Sequence, residues 1–239
     1  NATQLPAPAY ADPQFSSSPI AQQPASPPRG ALPPRVRALR FTDVGAAGAT
    51  WRDVRHTPEV AALGSHIGEA MDQLWVQRQF EAKRAATGEG AVDADAFVAW
   101  VQLINRAYLE NGYINSGLLI DPQDEEPADG VLSVTLIFGR VAPEHPGEAP
   151  IVVNWGPLPD PDRPEAEPRR GAARGLGEDY VRDRLSAAAA APFNMFDLER
   201  EFRLLAEDPA LRTVNASLAP GRAAGEAIAQ VRVDPQSRF

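Results

Sequence analysis

The sequence predicts an α+β protein made of two tandem β-α-α-β-β units behind an extended, proline-rich N-terminal arm. Three observations carry that reading. Two helical stretches followed by strand-like alternation occupy residues 58–138, and the same order returns over residues 151–233. The halves share punctuation: Pro122 with Gly130 in the first, Pro220 with Gly225 in the second. Residues 1–34 differ from both, with recurrent proline, almost no charge before Arg29 and no apolar period. Proline removes donors and favours polyproline geometry, so this stretch reads as a linker or arm with little packed structure of its own, either a tether or docking peptide or a mature N-terminus left loose after signal removal.

Composition narrows the function before any motif does. The chain has 239 residues, 44% of them hydrophobic, enough to bury a sizeable core. Its 23 basic against 32 acidic residues leave a net charge of −9, which argues against a nucleic-acid backbone or an anionic membrane surface as partner. No apolar run approaches the ~20 residues needed to span a bilayer as a helix. With no cysteine, neither a disulfide frame nor a thiolate metal site is available. His56 and His66 are ten residues apart in sequence rather than at a helical metal-pair spacing, and His145 is remote from both. No signal peptide is visible.

Each element has its own justification. Residues 36–45, VRALRFTDVG, form a short strand closed by Gly45. Over residues 58–86, Val60, Leu63, Ile67, Met71, Leu74 and Phe80 recur mostly three or four apart, the period of one helix face. Gly88–Gly90 interrupts, Asp93 is placed to cap a second helix, and Phe97, Val101, Ile104 and Tyr108 make its buried stripe. Asn111-Gly112 ends that helix, because glycine accepts the left-handed conformation needed just past a helix end. A strand over 113–120 follows, broken by Asp121-Pro122 and an acidic turn; residues 131–138 then alternate with Leu132, Val134, Leu136 and Phe138 on one face.

The second unit repeats the order. Ile151, Val153 and Trp155 alternate in a strand, and a Pro/Arg-rich loop spans 157–175. A helix over 177–190 buries Tyr180, Val181 and Leu185. In the next helix Asn194 is the N-cap, Asp197 takes the third position, Phe193 staples to Leu198, and Leu198, Phe202 and Leu205 form the stripe. Strands at 213–218 and 227–233 close the unit.

With those residues in place, the chain resembles a known family. Tyr108-Leu109-Glu110-Asn111-Gly112-Tyr113, then Pro122-Gln123, Gly130-Val131-Leu132 and Phe138-Gly139-Arg140-Val141, resemble the first POTRA domain of outer-membrane two-partner secretion transporters. FNMFDLEREFRLL at 193–205, with Leu218–Gly221 and Gly225–Ala227, is similar to the second POTRA domain of the haemolysin-activator type. The resemblance covers about residues 36–235 and departs in the stretch 59–93, longer than the family's usual first-helix region.

The resemblance implies an arm at 1–34, a first POTRA domain at 35–142 and a second at 148–235, each a three-stranded mixed sheet covered by two helices. It implies a place at the periplasmic face of a bacterial outer membrane. The partners would be an unfolded secreted exoprotein and the chain's own C-terminal β-barrel, which would have to begin past Phe239. No catalysis, cofactor, metal, small-molecule substrate or nucleic acid belongs to that role. Backbone pairing at an exposed sheet edge, aided by shallow apolar grooves, suits a client of varied sequence. The strands 113–120 and 213–218 are the expected edges, with the helix 177–190 as a groove wall. The client-binding candidates are therefore Tyr113, Asn115, Leu118, Ile120, Tyr180, Arg184, Thr213, Asn215 and Ser217.

Other readings compete. A scaffold for folded partners in an envelope complex, for barrel assembly or cell division, uses the same elements. The acidic turn 121–129 lacks the spacing of a dedicated calcium loop and reads as a solvated hairpin turn. Asp160 with Asp162, and Ser65 beside His66, form no convergent catalytic set. Asn215-Ala216-Ser217 matches a glycosylation sequon but falls in a strand. Trp51, Trp75, Trp100 and Trp155 read as core packing, and Gly112 and Gly221 as backbone-conformation residues.

Overall fold

The structure is a computed structural model that describes residues 15–17, 32–44, 48–122, 129–156, 178–209 and 211–235. The elements run β1 (Phe15–Ser17), β2 (Arg35–Val36), β3 (Ala38–Val44), α1 (Pro58–Ala61), α2 (Gln73–Ala86), β4 (Val92–Asp93), α3 (Ala94–Glu110), β5 (Gly117–Ile120), β6 (Val131–Ile137), β7 (Arg140–Val141), β8 (Ile151–Trp155), α4 (Glu178–Ser186), α5 (Met195–Ala206), β9 (Leu211–Pro220) and β10 (Glu226–Pro235). The fold is a mixed α+β arrangement. The loop 157–175, Asp160 and Asp162 within it, and most of the acidic turn lie outside the described residues.

Two sheets share one topology. In the first, β6 is central, with β3 parallel on one side and β5 antiparallel on the other. In the second, β10 is central, with β8 parallel and β9 antiparallel. Parallel neighbours need a long crossover, which the helices supply, whereas the antiparallel β9 and β10 are joined by a short turn at 221–225. Two short additions extend the pattern: β7 pairs parallel with the start of β10, and β1 pairs parallel with β9. A separate two-stranded ladder joins β2 to β4.

The period-two reading of residues 131–138 holds where it matters: Leu132, Val134 and Leu136 are buried and Phe138 packs against the same core. The continuous helix expected over 58–86 does not form. Gly64 and Gly68 take positive φ of 70° and 82°, so residues 62–72 run irregularly and the helix restarts at Gln73, capped by Asp72 accepting from the Trp75 N–H at 3.0 Å. The restart changes the face. Trp75, Val76 and Phe80 are buried, while Ile67 and Leu74 are 67% and 71% exposed. Asp93 occupies the N-cap position of α3 without a side-chain capping bond.

Each sheet has its own core. The first gathers the aromatic residues Trp51, Trp75, Phe80, Phe97, Trp100 and Tyr108, with Trp75 edge-on to Tyr108 at 5.8 Å between ring centroids. The second is built from Trp155, Phe193, Phe202 and the alternate residues of β8, β9 and β10. Arg140–Val141, read from the sequence as the end of the first unit, lies along the second sheet, and Val141 is buried in the second core.

Candidate functional site: two sheet edges and the joint between them

The stretch expected to be the first client-facing edge is instead the joint between the two units. Residues 111–118 are all buried, and only Gly117–Ile120 of the anticipated strand 113–120 is extended. Gly112 ends α3 as expected, with φ of 87°. A second constraint also requires glycine: a Cβ there would meet the Asn194 side-chain oxygen at 2.6 Å and the Phe196 ring at 2.7 Å. The turn after α3 therefore lies directly against the start of α5.

The joint is polar inside. Among the described residues the buried polar side chains are Asn111, Asn115, Ser116 and Asn194, and all four are used here. Asn194 Nδ2 donates to the Asn111 carbonyl at 2.9 Å, while its Oδ1 accepts from the Phe196 N–H at 2.9 Å, the N-cap bond read from the sequence. The Met195 N–H donates to the Gly112 carbonyl at 2.8 Å and the Phe193 N–H to that of Gly139 at 2.7 Å. Asn115 Nδ2 donates to the Gly225 carbonyl at 3.0 Å, and Ser116 Oγ accepts from the Gly139 N–H at 2.8 Å. Ile114 leaves its own unit altogether and is buried in the second core. Bonds of this kind fix one mutual geometry, because a partner lost in the interior leaves the other group unsatisfied.

An ion pair flanks the joint. Arg52 Nη2 sits 2.6 Å from Asp197 Oδ2, and both side chains are partly exposed. Burial opposes the guanidinium charge, but the Tyr113 hydroxyl and the Asp197 carboxylate outweigh it and raise the Arg52 pKa. Tyr113 is affected reciprocally. Burial would raise its phenol, yet hydrogen bonds from Thr50 and Arg52 bring it below the ordinary value. The Tyr113 oxygen accepts from the Thr50 N–H at 2.8 Å and Arg52 Nε at 3.4 Å.

Tyr113, Asn115 and Leu118 are therefore corrected as client-binding candidates: each is at most 1% exposed, and the Tyr113 hydroxyl and the Asn115 Nδ2 are engaged within the protein. Ile120 is half-buried against the first core. Even as an edge, β5 is closed. Asn105 of α3 donates through Nδ2 to the Leu118 carbonyl at 3.0 Å and accepts the Leu118 N–H on Oδ1 at 2.7 Å. A visiting strand would need those two outward groups.

The second edge differs. Thr213, Asn215 and Ser217 share one face of β9, opposite the buried Val214, Ala216 and Leu218, and range from half-buried to exposed. The outer side of β9 carries β1, in register Phe15 to Ala216, Ser16 to Ser217 and Ser17 to Leu218. Tyr180 and Arg184 do not line this edge. They belong to α4, which packs on β8 at the far side of the sheet, where Arg184 lies over the Tyr180 ring at 5.6 Å and the Tyr180 hydroxyl donates to Asp208 at 2.9 Å. The helix packed on β9 is α5.

Sequence reading missed Asn105, a polar residue beside the apolar stripe of α3, and took Asn115 for a client-facing residue where it is buried in the joint. Among the described residues, no group of three or more His, Asp or Glu is placed to hold a metal ion, and no helix is long and apolar enough to cross a membrane.

Comparison with known proteins gives structural likenesses only. No family model and no curated protein matches the chain. Among solved structures, the N-terminal domain of Omp85 from Thermosynechococcus elongatus is 17% identical, with a TM-score of 0.45 over 86% of this chain and 68% of that one. POTRA domains 1 to 3 of Omp85 from Anabaena give 16% and 0.44, covering 86% and 67%. CdiB from Escherichia coli gives 15% and 0.42, and the match covers 86% of this chain but 27% of that chain.

Proposed function

We propose that this chain is a periplasmic polypeptide-binding module of an outer-membrane transporter, which holds an unfolded secreted protein by strand addition and passes it to a C-terminal β-barrel. The observation that carries the proposal is the outer side of β9, where an extended segment is already paired by its backbone. Backbone pairing takes any client able to extend, and affinity stays modest because a short ladder must offset the ordering of the client. The motif resemblances at 108–141 and 193–227 support the transporter setting. The two units are taken as POTRA-like domains over 35–142 and 148–235 behind an arm at 1–34, with a non-catalytic role.

The joint serves that role mechanically. A client held at one edge is delivered in a fixed direction only if the two sheets keep their mutual geometry, and the Asn111, Asn115 and Asn194 bonds hold it. The test is a titration of the isotope-labelled chain with a permanently unfolded polypeptide, reduced and carboxymethylated α-lactalbumin. Amide signals of β9 should shift while those of β5 stay in place. No change along β9 at saturating polypeptide would sink the proposal.

A further inference from the structure

Within the arm, Phe15–Ser17 lies on the edge on which the proposed function depends. We infer that Phe15–Ser17 is a built-in, exchangeable occupant of the β9 edge, a stand-in strand that an incoming extended polypeptide must displace. The inference rests on the reading of β9 as a polypeptide-binding edge and adds an internal competitor to it.

Three features of the pairing support exchange. The occupant covers three residues of an edge ten residues long, and among the described residues no other strand pairs with the outer side of β9 before Ala216. A longer client therefore gains ladder that β1 cannot supply. The pairing is parallel, the slightly weaker arrangement per residue. The flanks also limit it: Pro13 and Pro19 stand two residues either side of the strand, and proline cannot donate to a ladder.

The connection through residues 18–34 makes such a weak strand effective. Intramolecular attachment over a short connection keeps the local concentration of the segment on the order of millimolar, so β1 blocks weak chance pairing without resisting a long client. It also protects an edge that would otherwise invite pairing between copies. Because β1 runs parallel to β9, the edge is set for clients that enter in that direction, with alternate residues beside Ala216 and Leu218.

The absence of native cysteine allows a clean test in the intact chain. Ser16 and Ser217 are register partners, and neighbouring strands place paired Cα atoms within disulfide range. The double variant S16C/S217C should crosslink on oxidation. The probe is a synthetic peptide with the arm's own sequence, residues 12–20. Reduced protein should bind it weakly, the oxidised form at least tenfold more weakly, and a chain beginning at Leu32 at least tenfold more tightly than the intact one.

Failure of the crosslink to form, equal peptide affinity in oxidised and reduced protein, or no gain on removing residues 1–31 would each overturn the inference. The unfolded-polypeptide titration is read separately. A chain that passes the lock test but shows no polypeptide shifts keeps the arm as a plain edge cover and loses the exchange with a client.

Discussion

The two sheets have the same strand order and opposite edges. In the first, the strand antiparallel to the centre is four residues long, and Asn105 takes both outward groups of Leu118. In the second, the corresponding strand is ten residues long, and its outer side is met over three residues by β1. One topology thus yields one closed edge and one open to extended backbone. Edge management, more than strand order, decides where a polypeptide can add.

The largest expected effect breaks the joint that fixes the two sheets together. Gly112→Val meets a positive φ and a collision with Asn194 and Phe196 at once, and should cost about 3 kcal/mol or more of stability in denaturant titration. Gly64, with φ of 70° but open space around it, is the control, and Gly64→Ala should cost only about 1 kcal/mol. Equal losses at the two sites would contradict close packing at the joint.

Asn105→Leu should come next. It strips the two bonds from Leu118, costs about 1–2 kcal/mol, and turns β5 into a second edge that binds the unfolded polypeptide. Unchanged polypeptide binding at β5 would show that Asn105 is not the reason the edge is closed. Arg52→Met removes the ion pair to Asp197 and should cost about 1 kcal/mol by thermal unfolding, with no effect on the β9 titration.

The smallest effect is a pH dependence. The hydrogen bond from Arg140 holds the Glu226 carboxyl below its ordinary pKa. A lowered folded-state pKa means that the contribution is present above the ordinary carboxylate pKa and is lost as pH falls through the folded value. Arg140→Gln should flatten that part of the acid unfolding curve by less than about 1 kcal/mol, because the guanidinium is exposed. A steeper curve would reverse the sign.

Much of this asymmetry was legible as elements and little as edges. The apolar alternation at 131–138 and 151–155, the Asn194 cap and the Gly112 stop are local rules, and the structure follows them. The stripe through Ile67 and Leu74 failed because two left-handed glycines broke the helix that would have aligned them. Tyr113, Asn115 and Leu118 were misplaced for a different reason. A short polar and aromatic run after a helix has the same sequence pattern whether it faces solvent or a second unit, and only tertiary contact buries it. The pairing of Phe15–Ser17 with β9 joins residues some two hundred positions apart in sequence, and no local periodicity encodes it.

The most direct test places a photoreactive p-benzoylphenylalanine at Ser217 on β9 or at Leu119 on β5, in chains with and without residues 1–31, and illuminates each with the unfolded polypeptide. The account predicts polypeptide crosslinks from position 217, increased when the arm is removed, and none above background from position 119. Equal crosslinking from both edges, or capture only at β5, would contradict it.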